Sequence, residues 1–183
     1  MPTLVHLIRH AQSTFNLHYA ETGIDPMHWD ARLTDHGHAQ AAAASPIARS
    51  LAVEVVYTTP FTRALQTTHG LFGHSVPVHV QPLHREHLSS SCDVGRSPME
   101  LATEFPHLSF DHLDDPWWHV GPQNERGIPV EPQPIFKARV AAFRDWVKAL
   151  PHARVAIVGH GTFLHELTGK HFANCEIFEW DPS

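Results

Sequence analysis

The 183-residue sequence contains no apolar run approaching the ~20 residues needed to cross a bilayer, so it offers no candidate membrane span. Basic residues are scarce. Thirteen Lys and Arg face nineteen Asp and Glu, a formal net charge of -6, which excludes the extended basic surface that nucleic acid or an anionic membrane requires. Any anionic ligand must therefore be held by a few local cations. Only two cysteines occur, Cys92 and Cys175, and Met1-Pro2-Thr3 lacks a basic-then-apolar leader. The expectations are free thiols and a cytoplasmic location. There is no internal repeat, no CxxC and no HExxH. The eighteen histidines suggest ligand pairs at His36 and His38, His84 and His87, and His160 and His165, but no carboxylate-rich cluster accompanies them. No metal and no cofactor is assigned.

What is present is ordinary globular composition, 42% hydrophobic and 17% charged, in a length that suits one domain spanning residues 1–183. Leu4 to Ile8 is a short apolar run ending at Arg9-His10, the pattern of a buried strand that delivers polar residues at its carboxyl end. Val155-Ala156-Ile157-Val158 repeats the pattern before Gly159-His160-Gly161, with Thr162 as the expected cap of a helix through Leu167. Between them, Thr34 caps an expected helix from Asp35 to about Leu51, bent at Pro46, and Val53 to Thr59 reads as another buried strand. Pro60 opens a helix running to Gly73, Val76 to Leu83 reads as a strand, and Met99 to Phe105 as a short helix. Apolar residues at Phe136, Val140, Phe143 and Val147 mark an amphipathic helix over Ile135 to Leu150, and Asn174 to Trp180 reads as the last strand. Alternating strands and helices predict a three-layer α/β/α sandwich with a mostly parallel central sheet, whose ligands sit at the carboxyl ends of the strands. The irregular segment 84–133 is the expected lid or substrate segment, its Pro- and Trp-containing stretch from Asp114 to Pro134 the lid itself.

Arg9-His10-Ala11-Gln12-Ser13-Thr14-Phe15-Asn16 resembles the opening signature of the histidine phosphatase superfamily, also called phosphoglycerate mutase-like. Asp30-Ala31-Arg32-Leu33-Thr34 with Gly37 and Gln40 resembles its second segment, Thr59 to Thr67 its third, and Gly159-His160-Gly161 its late histidine motif. The matches keep the family's order across residues 4 to 169. The resemblance implies His10 as nucleophile, Arg9 and Arg63 as phosphate ligands with His160, and Glu86, within Leu83-His84-Arg85-Glu86, as general acid. Asp93 and Glu100 are the rival carboxylates. Asn16 and the Gly161 amide complete the implied phosphate cradle, with Ser13 and Trp118 as further guesses. Where the family usually has glycine and often glutamate after the nucleophile, this chain has Ala11 and Gln12. The first demands a turn open to a side chain, and the second reads as tuning for a more anionic substrate.

These residue types suit the chemistry on their own terms. Guanidinium forks bind the near-dianionic phosphate monoester through charge-assisted hydrogen bonds. A neutral imidazole attacks phosphorus, and a protonated one stabilises charge spreading over the equatorial oxygens. The expected activity is metal-independent hydrolysis of a small phosphorylated metabolite through a phosphohistidine on His10. Phosphoglycerate mutase-type transfer, a non-catalytic phospholigand-binding protein and a chelator-sensitive metallophosphoesterase are the alternatives. Oligomeric state and substrate identity are not legible.

Overall fold

A computed structural model describes residues 4–183, and the Met1-Pro2-Thr3 reading lies outside the described residues. Five strands form one sheet: β1 (Leu4–Arg9), β2 (Val55–Thr58), β3 (Val78–Val80), β4 (Arg154–Gly159) and β5 (Ile177–Trp180). Their order is β3-β2-β4-β1-β5, all neighbours parallel except β5, which pairs antiparallel with β1 at the edge.

The central strands are mostly apolar because both faces are covered, with His6 of β1 and Thr58 of β2 as buried polar exceptions. Val155 and Ile157 of β4 join Val5, Leu7, Val55 and Tyr57 under one helical layer, while Ala156 and Val158 join Ile8 and Val56 under the other. The first layer contains α5 (Gln133–Lys148) and α6 (Gly161–Thr168); the second contains α2 (Asp35–Ser50), α3 (Thr62–Phe72) and α4 (Pro98–Glu104). On α5, Phe136, Val140, Phe143 and Val147 are all buried, each worth roughly 1.5–3 kcal/mol relative to exposure. α1 (Thr14–Thr22) completes the set. Among the described residues no helix is long and apolar enough to cross a membrane.

The elements depart from the sequence reading at definite points. β3 is confined to Val78–Val80, since Pro77 has no N–H to pair and Pro82 opens a 3-10 turn through His84. Asn174 lies in a turn before β5, where Cys175 adopts φ 62°. The cap of α6 is His160, one turn position before the helix begins at Gly161, so Thr162 sits inside it. α1 is unanticipated because only Phe15 on it is buried and no apolar stripe exists. Its signal is the capping box, in which Ser13 Oγ accepts from the Asn16 N–H and Asn16 Oδ1 accepts from the Ser13 N–H. Cys92 and Cys175 are unpaired.

Candidate active site

Strands β1 and β4 lie side by side with Arg9 opposite Gly159, so the residues just beyond them, His10 and His160, emerge together. The His10 N–H donates to the Gly159 carbonyl at 2.9 Å. The two ring centroids are 5.2 Å apart. The His10 Nδ1 stands 2.7 Å from the Ala11 carbonyl. A carbonyl only accepts, so Nδ1 carries the hydrogen and Nε2 keeps its lone pair. Burial, reinforced by the charges of Arg63 and Arg9, holds the His10 pKa well below the usual imidazole range. The ring is therefore neutral near pH 7, the form a nucleophile needs. Ala11 is buried and is not among the residues at positive φ, so its methyl group is accommodated in ordinary backbone.

His160 is wholly buried, packed edge-on against Phe61 as well as beside His10. Its Nε2 is 2.7 Å from Thr59 Oγ1, and burial followed by Arg63 lowers its pKa too. A bound dianion opposes that shift and favours imidazolium. Two buried polar atoms here have no hydrogen-bond partner among the described residues: Nδ1 of His160 and Nε of Arg9. Such orphans are expensive unless a ligand fills them.

A cavity of about 430 Å³ opens over this pair, lined by Arg9, His10, Asn16, Arg63, Glu86 and Asp93 among others. Ser13 and Gly161 also line it, whereas His160, wholly buried, is not among its lining residues. Arg9 donates to the Phe172 carbonyl at 2.6 Å and lies over Gly161, where a Cβ would come within 3.2 Å of Nε. We expect Gly161→Ala to displace the guanidinium by a few tenths of an ångström and lower kcat/KM about tenfold with little change in thermal stability. Unchanged steady-state kinetics would show that Arg9 does not need this close approach.

Arg63 is buried, donating to the Cys92 carbonyl at 2.6 Å and to Asp93 Oδ1 at 3.1 Å, with its guanidinium 4.3 Å from the Phe61 ring centre. It is placed by α3, whose first N–H is held by Asp30: Oδ1 accepts from the Thr62 N–H at 2.9 Å, and Arg96 Nε donates to Oδ2 at 2.9 Å. Asp30 adopts φ 40° to do so.

The rival carboxylates separate clearly. Glu86 sits on the N-terminus of α6, Oε1 accepting from the Phe163 and His87 N–H groups at 2.8 and 2.9 Å and Oε2 from Thr162 at 2.9 Å. Asp93 is spent on Arg63 and on the Ser89 and Ser90 amides. Glu100 is exposed in the capping box of α4, away from the cavity. Burial first, then Glu86 against the opposing Arg63, pushes the Asp93 pKa up to about 6. Protonating Asp93 removes a negative charge from the cavity wall, so sulfate, whose charge is constant in this range, should inhibit more tightly as pH falls through about 6. The gain from this one charge is roughly fivefold, and Asp93→Asn should lack that component; identical sulfate profiles for the two proteins would exclude Asp93 as a source.

Asn16 uses Oδ1 in its cap and in a 3.3 Å bond from Asn174, leaving Nδ2 as its free donor among the described residues. Asn174 also donates to the His10 carbonyl at 3.0 Å, and the Ala11 N–H donates to Thr67 Oγ1 at 3.0 Å. These supports around His10 carry no signature in the sequence. His171 and Phe172 also line the cavity unannounced, with His165, which the sequence offered only as a metal-ligand partner of His160; the two imidazoles are stacked 3.9 Å apart. Trp118 does not line it: Trp117 packs on Phe61 and Trp118 on Trp117, so the pair anchors a loop. Gln12 is also outside the lining, its Oε1 accepting from the Thr34 hydroxyl at 2.8 Å at the start of α2. From the segment 84–133 the cavity takes residues between Glu86 and Asp93, and none from 114–133.

A sequence model of the histidine phosphatase superfamily, branch 1, matches residues 5–180. A phosphoglycerate mutase-like protein of Arabidopsis thaliana is 27% identical over 94% of this chain and 82% of its own length. A protein of Schizosaccharomyces pombe named as a phosphatase is 28% identical over 86% of this chain and 73% of its own. A solved mycobacterial glucosyl-3-phosphoglycerate phosphatase in complex with VO3 superimposes with a TM-score of 0.61 at 18% identity, covering 97% of this chain and 92% of that one.

Proposed function

Because the chain belongs to the histidine phosphatase superfamily, branch 1, we propose that it hydrolyses a small phosphomonoester through a phosphohistidine on His10. The observation that carries this reading is the fixed tautomer of His10: Nδ1 donates to Ala11, so Nε2 offers its lone pair at the floor of a cavity lined by two guanidiniums. In the first half-reaction a bond forms between Nε2 and phosphorus while the ester P–O bond breaks, and the leaving oxygen takes a proton from Glu86. In the second, water attacks phosphorus, gives its proton to Glu86, and the P–N bond breaks to release inorganic phosphate. Arg9 and Arg63 neutralise the phosphoryl oxygens throughout, and His160, charged by the bound dianion, adds to them as charge spreads in the transition state. Glu86 is the carboxylate best suited to shuttle the proton, since Asp93 is committed to Arg63. The step uses no metal.

The relative named as a phosphatase and the similar solved glucosyl-3-phosphoglycerate phosphatase support hydrolysis over mutase-type transfer. A screen of phosphorylated metabolites for phosphate release, run beside an assay of phosphoglycerate interconversion, tests the reading. We expect phosphate release to dominate and to persist with chelator. Dominant interconversion would establish a mutase, and loss of turnover with chelator a metalloenzyme.

A further inference from the structure

A second constellation lies at the other end of α3. Arg63 stands in its first turn at the cavity; His69 stands in its last turn, His74 just beyond it, and His107 follows α4. All three are exposed, and one ring nitrogen from each lies within 4.8 Å of the other two. Their ring centroids are 5.2, 5.9 and 5.0 Å apart. No hydrogen bond engages any of these rings among the described residues. They border a depression of about 190 Å³ that includes Leu65, Val76, Val78 and Leu108 and shares no residue with the catalytic cavity.

We propose that His69, His74 and His107 bind one divalent transition metal ion, with zinc the first choice and water in the fourth position. Zinc holds imidazole nitrogen at ~2.0–2.1 Å, which sets tetrahedral donors roughly 3.3 Å apart. Small rotations of exposed side chains close the present spacing to that value. Three nitrogens without a carboxylate select zinc, copper or nickel over magnesium or calcium. His69 and His74 stand in an H-x4-H spacing common among zinc ligands, and His107, brought to them from beyond α4, completes the donor set beside Leu65, Val76, Val78 and Leu108. A bound ion ties the loop after α4 to the end of α3, a structural clip remote from phosphoryl transfer.

Zinc titration of the metal-free full chain, in competition with a chromophoric chelator, tests the site. We expect one tight equivalent and a rise in the unfolding midpoint of about 5–10 °C at hundredfold excess over Kd. The combined variant His69→Ala, His74→Ala and His107→Ala should lose both while hydrolysing a generic phosphomonoester at the wild-type rate, and His107→Ala alone should weaken binding at least tenfold. Cobalt in place of zinc should give the intense visible absorption of tetrahedral coordination in wild type only. Absence of saturable binding overturns the proposal, as does equal zinc uptake by the combined variant, which would mark adventitious binding by other histidines.

Discussion

His10→Ala should abolish turnover, lowering kcat for a generic phosphomonoester by roughly 10³-fold or more, the scale seen when a covalent nucleophile is removed. The folded state should survive, because the main-chain bond from His10 to Gly159 is untouched and the ring's one hydrogen bond is to its own neighbour, Ala11. Rapid quench with a labelled monoester should trap acid-labile phosphate on wild type and none on the variant. Equal labelling of the two proteins would remove His10 from the mechanism. His160→Ala should still accept some label, only more slowly, because the role proposed for that ring is to stabilise charge without bonding to phosphorus. The contrast between the two variants separates roles that their similar surroundings hide. Both rings are buried and both have depressed pKa values. Only the ring tautomer of His10 is fixed by a carbonyl acceptor; that of His160 is set by its hydroxyl partner Thr59, which can donate or accept.

The strand core was legible because burial on two faces leaves little room for polar residues: Val155-Ala156-Ile157-Val158 divides between two helical layers, and its sequence shows it. The same pattern placed Arg9, His10 and His160, since polar residues immediately after a buried strand must emerge at its end. Elements defined by polar contacts were not legible. α1 buries only Phe15, so it has no apolar stripe to read. Asn174 reaches His10 and Asn16 only after a chain reversal through Cys175 in the left-handed region, and nothing in residue order fixes such a turn. Asp93 was visible as a carboxylate near the site, but its commitment to Arg63 depends on a 3-10 turn at Ser91–Asp93 that brings two distant segments into contact. The choice between Glu86 and Asp93 therefore rests on coordinates. The histidine triad is the extreme case: His69 and His74 are only five residues apart, but His107 joins them through the fold alone, and residue order does not single this pair out among eighteen histidines.

Arg63→Ala should fail twice, in stability and in phosphate binding, and the two losses can be separated. Arg63 and Asp93 are both almost fully buried, at 2% and 4% side-chain exposure. Removing the cation strands a buried carboxylate, an effect of about 3–5 kcal/mol, read as a fall of roughly 10 °C in the unfolding midpoint. Adding Asp93→Asn removes the stranded charge and should recover much of that fall. It cannot recover catalysis, because Arg9 alone remains to meet the phosphoryl oxygens; kcat/KM should stay roughly 10²-fold or more below wild type in both proteins. Arg63→Lys should retain charge yet lose the fork to Cys92 and Asp93 and the stacking on Phe61, leaving weak activity. If the double variant regains vanadate or sulfate affinity along with its melting temperature, Arg63 serves the fold alone, and Arg9 must carry the anion unaided.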